Sequence, residues 1–197
     1  MQLSCDINHL EPALRVLLTS DGTVTDMLET ICRETINARR IAQEVQPANG
    51  CVEPLELAAG QSLLSRRVLL QGERTCTNYV YAESWIAIDR LDARFREGLL
   101  ASDMPIGRLW RSNRVEIFKE LILISQVEAS HIAQYFGTAA DMKLLARTCR
   151  VFILGRPVML ISEHFSPALA VSTTAENCRS AGYPERGTTH SPYSRLI

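Results

Sequence analysis

The chain has 197 residues, 46% of them hydrophobic and 22% charged, and a formal net charge of −1. That is the composition of a globular protein with one sizeable core, neither disordered nor fibrous. A charge this close to zero, with no run of Lys and Arg, excludes the electrostatic footprint of a nucleic-acid partner.

The opening MQLSCDINHLEP has no basic segment followed by a long apolar core and a cleavage site. No apolar run approaches a membrane span, so a cytoplasmic protein with no membrane partner is expected. Leu10 to Leu18 carries apolar residues at helical spacing. Asp21-Gly22 is a turn signal, and Thr25 is the predicted N-cap of a short helix running through Ile31. Ala38 to Val45 reads as a strand that ends at the Pro47 and Asn49-Gly50 loop, although RRIAQEV also fits a helix. Leu63 to Gln71 (LLSRRVLLQ) and Thr77 to Ile88 (TNYVYAESWIAI) are strands rich in aromatic and branched residues. The GERTC between them has the length and chemistry of a hairpin connection, so the two strands should pair antiparallel.

Asp89 to Leu100 then reads as a helix and ASDMPIGRLW as a loop. Asn113 with Glu116 makes a capping box that predicts a helix through about Ile124. Ala129 to Phe136 is a further short helix, stopped by Gly137. Ala146 to Leu154 and Pro157 to Phe165 form a second hairpin around Gly155-Arg156. From Ala168 onward the chain is rich in Ser, Thr, Gly and Pro without an apolar period, which predicts a flexible tail over 168–197 after a domain of 1–167. The order of elements predicts an α+β fold, a single antiparallel sheet with helices packed on it.

Six cysteines and four histidines are scattered without C-x-x-C, H-E-x-x-H or H-x-H spacing. No metal set or redox motif is therefore expected, and the thiols read as small hydrophobes. The charges that fall on apolar strand faces are more informative. In GRPVMLISEHFSP, alternation puts Glu163 on one side with Met159, Ile161 and Phe165. An ionised carboxylate there loses solvation, so it is paired, protonated or facing a pocket. In LLSRRVLLQ the same rule puts Arg66 with Leu64, Val68 and Leu70.

An acid and a base on greasy faces of one sheet can meet across a pocket. They can also form an Arg66–Glu163 ion pair that merely organises the sheet, and periodicity alone slightly favours that pair. Glu83, Arg147 and Arg150 read as members of a solvated face or of structural pairs. Ser162, Glu163 and His164 cannot form a triad, because adjacent strand residues point to opposite faces.

The segments LLTSDGTVT, RRVLLQG, YVYAESWIAIDRL, SDMPIGRLW and ARTCRVFILGRPVMLISEHF, in this order, resemble the chorismate lyase superfamily. The likeness runs from about Leu10 to Pro167 and is most specific in AESWIAIDRL and GRPVMLISEHF. It implies a fold that encloses an internal ligand cavity, and cleavage of chorismate to 4-hydroxybenzoate and pyruvate without metal or organic cofactor. It also implies that Arg66 holds a substrate carboxylate, that Glu163 sits near the ring hydroxyl as acid, base or hydrogen-bond partner, and that Val24 and Ile106 line the ligand cavity. Val24 stands where better-known members have methionine and Ile106 where they have leucine; Glu83-Ser84 departs from their pattern.

Chorismate is a dianion, so a second cation or N–H anchor is required; Arg147, Arg150 and Arg108 are all open for that role. Two other readings remain: a non-catalytic module that senses an aromatic acid, as in regulator effector domains of the same superfamily, and a lyase for a related enolpyruvyl substrate. Too few residues precede the first matching segment for the winged-helix domain such regulators carry. The oligomeric state is left open.

Overall fold

Alternating apolar residues build one sheet, which the computed structural model describes through residues 2–3 and 5–170. Its strands are β1 (Gln2–Leu3), β2 (Ile36–Pro47), β3 (Ser62–Gly72), β4 (Asn78–Ala87), β5 (Phe118–Glu128), β6 (Lys143–Ile153) and β7 (Arg156–Phe165). Across the sheet they run β1-β5-β6-β7-β4-β3-β2. Every neighbouring pair is antiparallel except the two-residue β1, which lies parallel to β5. The α+β architecture expected from the order of elements is the one observed.

The two predicted hairpins, β3–β4 and β6–β7, form and then pair with each other through β4 and β7. This juxtaposition places the site. In register, Arg66 stands opposite Ser84, which stands opposite Ile161; two residues along, on the same face, Val68, Ala82 and Glu163 are aligned. Side chains of one row share a face, so Arg66 and Glu163 project to the same side of the sheet.

On the sheet pack the helices α1 (Pro12–Thr19), α2 (Val24–Cys32), α3 (Ala93–Ala101), α4 (Ile106–Ser112) and α5 (Ala133–Phe136). Proline opens α1, where its missing N–H costs nothing. Asp92 caps α3 by accepting from the Arg94 amide at 2.9 Å, and Gly137 ends α5 in the left-handed region with φ 63°.

Three expectations are corrected. Thr25 does not cap α2: the helix starts two residues earlier than expected, at Val24, Thr23 holds the cap position without a side-chain bond, and Thr25 is buried. Part of the expected loop ASDMPIGRLW is α4. Asn113 caps the C-terminus of α4 and does not open a new helix; the chain from Phe118 runs on as β5. The branched run LILISQV favours a strand, and β1 and β6 flank it on either side.

On the face that carries Arg66 and Glu163 the apolar core is split in two. One cluster gathers Leu14, Leu17, Leu18 and Leu28 from α1 and α2 against Val68, Leu70, Val80, Ala82 and Phe165. The other gathers Phe95, Leu99, Leu109 and Trp110 from α3 and α4 against Leu64, Ile86, Met159 and Ile161. The opposite face is covered by α5 around Leu69 and Tyr81, and by the 53–57 segment around Leu63 and Ala87. Of the expected tail, residues 168–170 form a helical turn whose Leu169 is buried in the first cluster; 171–197 lie outside the described residues. Among the described residues no helix is long and apolar enough to cross a membrane.

Candidate functional site

Between the two clusters lies a pocket floored by the sheet and walled by two helical segments. The sheet supplies its floor: Arg66 and Val68 from β3, Ala82 and Ser84 from β4, Ile161 and Glu163 from β7. Thr23, Val24 and Thr25 at the start of α2 and Pro105, Ile106, Gly107 and Trp110 of the α4 segment form the walls, and Lys119 of β5 closes the side beyond Glu163. All four residues singled out from the sequence, Arg66, Glu163, Val24 and Ile106, thus line one cavity.

The Arg66–Glu163 ion pair weighed from periodicity is not made. Arg66 is 1% exposed and donates from Nη1 to the Leu99 carbonyl and from Nη2 to the Met104 carbonyl, both at 3.2 Å. Its Nε–H has no partner among the described residues. Burial, and then the charge of Arg40, pull its pKa below the ordinary guanidinium value, yet a guanidinium keeps its proton in a protein. The nearby Asp103 is engaged by Arg40 at 3.0 Å. Arg66 is therefore a buried cation without a carboxylate of its own among the described residues, anchored by the carbonyls of the α3–α4 segment.

Glu163 pairs with Arg147 instead. Nε of Arg147 lies 2.6 Å from Oε2 of Glu163, and its Nη1 donates to the carbonyls of Leu17 and Ser20 at 2.6 and 2.8 Å. These carbonyls belong to the C-terminal end of α1, where cations are favoured. Burial acts to lower the Arg147 pKa, but the neighbouring negative charges, Glu163 foremost, turn the net shift upward. Arg147 holds one oxygen of Glu163, Oε2.

The other open cations are occupied elsewhere. Arg150 binds Glu120 at 2.7 Å, and Arg108 binds Glu29. Glu83 accepts the Tyr81 hydroxyl at 2.6 Å, beneath the cluster of the opposite face; burial and then this bond drive the Tyr81 pKa up. Among the described residues no three His, Cys, Asp or Glu side chains form a metal-binding group.

The family model described as Chorismate pyruvate-lyase Rv2949c-like matches residues 18–173. The chain belongs to this family. Within reach of sequence comparison are relatives named chorismate pyruvate-lyase. The one from Mycobacterium tuberculosis (strain ATCC 25618 / H37Rv) is 29% identical over 81% of this chain and 82% of its own. The one from Mycobacterium leprae (strain TN) is 27% identical over 90% and 85%.

Among solved structures, the effector domain of PhnF from Mycobacterium smegmatis superposes with a TM-score of 0.61 at 11% identity, covering 77% of this chain and 92% of that one. A GntR-family transcriptional regulator from Enterococcus faecalis V583 gives 0.54 at 16% identity over 76% and 99%. At these identities the likeness is one of fold.

Among the lining residues that the sequence did not single out, Lys119 and Trp110 are the largest polar ones. Lys119 falls in a segment read as helix; read as a strand, FKELILI would have put Lys119 on the face of Leu121. Trp110 falls in a segment read as a loop, and no signal short of recognising α4 would have turned it inward.

Proposed function

We propose that the protein cleaves chorismate to 4-hydroxybenzoate and pyruvate. The observation that carries this reading is Arg66: a buried, permanently charged fork with no carboxylate of its own, set in an apolar pocket that also holds Glu163. A planar ring acid fits such a slot, its carboxylate on the guanidinium and its far edge toward the glutamate.

The reaction breaks the C3–O ether bond and removes the hydrogen from C4. The electron pair of the C4–H bond becomes part of the aromatic ring as the enolate of pyruvate departs and is protonated. Aromatisation drives the step, so the protein's work is orientation and proton traffic. Arg66 holds the ring carboxylate, and Glu163, fixed at one oxygen by Arg147, meets the C4 hydroxyl as hydrogen-bond partner or acid/base. Val24 and Ile106 keep the slot dry from the helix side. Membership of the chorismate pyruvate-lyase family supports this substrate class.

Incubation with chorismate should release equimolar pyruvate, read by a coupled dehydrogenase assay, and 4-hydroxybenzoate, read by absorbance. Glu163→Gln should lower kcat by about 100-fold or more, the usual worth of a positioned proton-transfer group. Arg66→Lys, which keeps the charge and loses the fork, should lower kcat/KM with circular dichroism unchanged. Wild-type protein that yields neither product overturns the lyase reading. Tight 4-hydroxybenzoate binding in that case would favour a sensor, the reading that the regulator-like fold supports.

A further inference from the structure

Charged side chains around the pocket sort cleanly by whether a carboxylate already holds them. Arg147 is bound to Glu163, Arg108 to Glu29, Arg111 to Asp26 and Arg150 to Glu120. Of the cations that line the cavity, Arg66 and Lys119 form no ion pair among the described residues. They enter from strands β3 and β5, separated in the sheet by β4, β7 and β6. Four strand spacings of about 4.8 Å separate their backbones, and both are long side chains that line the same cavity.

Lys119 is held for use. Its Nζ donates to the Gly22 carbonyl at 2.9 Å and sits 5.7 Å from the centre of the Trp110 ring. An ammonium has three donors, so two remain after the Gly22 bond. Trp110 lines the same pocket, is 6% exposed, and its Nε1–H has no partner among the described residues. A buried indole N–H without an acceptor is costly unless a ligand supplies one. Burial lowers the Lys119 pKa from its ordinary value, with the Glu163 charge pulling the other way, so a bound anion would relieve an ammonium that is poorly solvated when the pocket is empty.

We propose that Lys119, with the Trp110 N–H beside it, is the second anion anchor of the pocket and takes the side-chain carboxylate of a ring dicarboxylate whose first carboxylate rests on Arg66. The assignment of carboxylates rests on the lyase reading: in chorismate the enolpyruvyl ether is at C3, next to the C4 hydroxyl, so with that hydroxyl at Glu163 and C3 turned toward β5 the enolpyruvyl carboxylate falls on the Lys119 side. Lys119 then discriminates substrate from product. The dianion touches both cations, whereas 4-hydroxybenzoate, which has lost the second carboxylate as pyruvate, touches only Arg66.

Calorimetric titration with two probes tests this: 4-hydroxybenzoate, and 3-carboxymethoxy-4-hydroxybenzoate, a dianion with no bond the reaction can cleave. Lys119→Met should weaken the dianion by about tenfold or more, the worth of one charged hydrogen bond, and move 4-hydroxybenzoate by less than about threefold. Lys119→Arg should restore most of the dianion affinity. Equal losses for both probes would mean that Lys119 only braces the Gly22 loop; no loss for the dianion, or wild-type protein that binds neither probe, also overturns the proposal. Wild-type protein that shows the predicted contrast yet releases no pyruvate from chorismate would sink the lyase reading and leave the Lys119 anchor standing.

Discussion

Two buried guanidinium groups bear on the pocket, Arg66 in its lining and Arg147 behind Glu163, and each is satisfied differently. Arg66 leans on backbone carbonyls and has no carboxylate partner among the described residues; Arg147 has its anion in Glu163. Arg147 and Glu163 should therefore couple strongly in stability. Removing one partner of a buried pair leaves the other uncompensated, at about 3–5 kcal/mol. Arg147→Met is expected to cost an amount of that order, and the double variant Arg147→Met/Glu163→Gln clearly less than the two single losses together. Urea denaturation of the four proteins checks this; strictly additive losses would show that the pair does not act as a unit.

The same residues show what alternation could and could not reveal. Arg66 and Glu163 stand out in the sequence because each interrupts an apolar face. Their partners do not. The tight turn at 154–155 pairs Phe152 with Pro157 and Ile153 with Arg156, a register that carried down the hairpin would set Arg147 opposite Ser162. A register shift between Val151 and Phe152 moves it opposite Glu163, and a bulge of this kind leaves no mark in residue periodicity.

At the scale of elements, strands and hairpins were legible, because turn chemistry and branched residues agreed there. The stretch from Ser102 to Glu128 was not. The helix α4 has seven residues and no side-chain N-cap, so local propensity gives little to read. In β5 the charges Lys119 and Glu120 fall where a helix also tolerates them. Leu109 and Trp110 hold α4 against α3 in the second cluster, and on its other side α4 meets α2 and its cap: Arg108 to Glu29, Arg111 to Asp26, and a close approach of Gly107 to Thr23. A Cβ on Gly107 would fall far inside contact distance of Thr23 Cγ2, and both residues line the pocket. Gly107→Ala should push the two walls apart and weaken 4-hydroxybenzoate binding by about tenfold, in line with overpacking costs of about 1–3 kcal/mol. Thr23→Ser removes the offending methyl without losing a cap bond, since Thr23 makes none. Adding it to Gly107→Ala should recover most of the affinity; a double variant as weak as Gly107→Ala would show that the Thr23 methyl is not the cause.

Over the whole molecule, a line of polar residues divides the apolar core. Leu64, Arg66 and Val68 on β3, Ile86, Ser84 and Ala82 on β4, and Ile161, Glu163 and Phe165 on β7 repeat one order: second cluster, polar residue, first cluster. The gap between clusters is the pocket, and the continuous sheet beneath joins its two sides. A ligand in the gap touches both clusters and stabilises only the folded chain, so it should raise the melting temperature of the whole domain. At 100 times its Kd, 4-hydroxybenzoate adds about 2.7 kcal/mol. For a domain of this size each kcal/mol is worth roughly 2–4 °C, which predicts a rise of about 5–11 °C.

Two probes can report whether the clusters respond together. Far-UV circular dichroism follows the sheet. Trp110 fluorescence, isolated by Trp85→Phe because Trp85 is half-exposed and on the other face, follows the second cluster. Coincident midpoints that shift equally with ligand are expected of one cooperative unit. A Trp110 transition that moves while the circular dichroism midpoint stays fixed would mean that the α3–α4 side opens on its own, and that the sheet does not couple the two halves of the core.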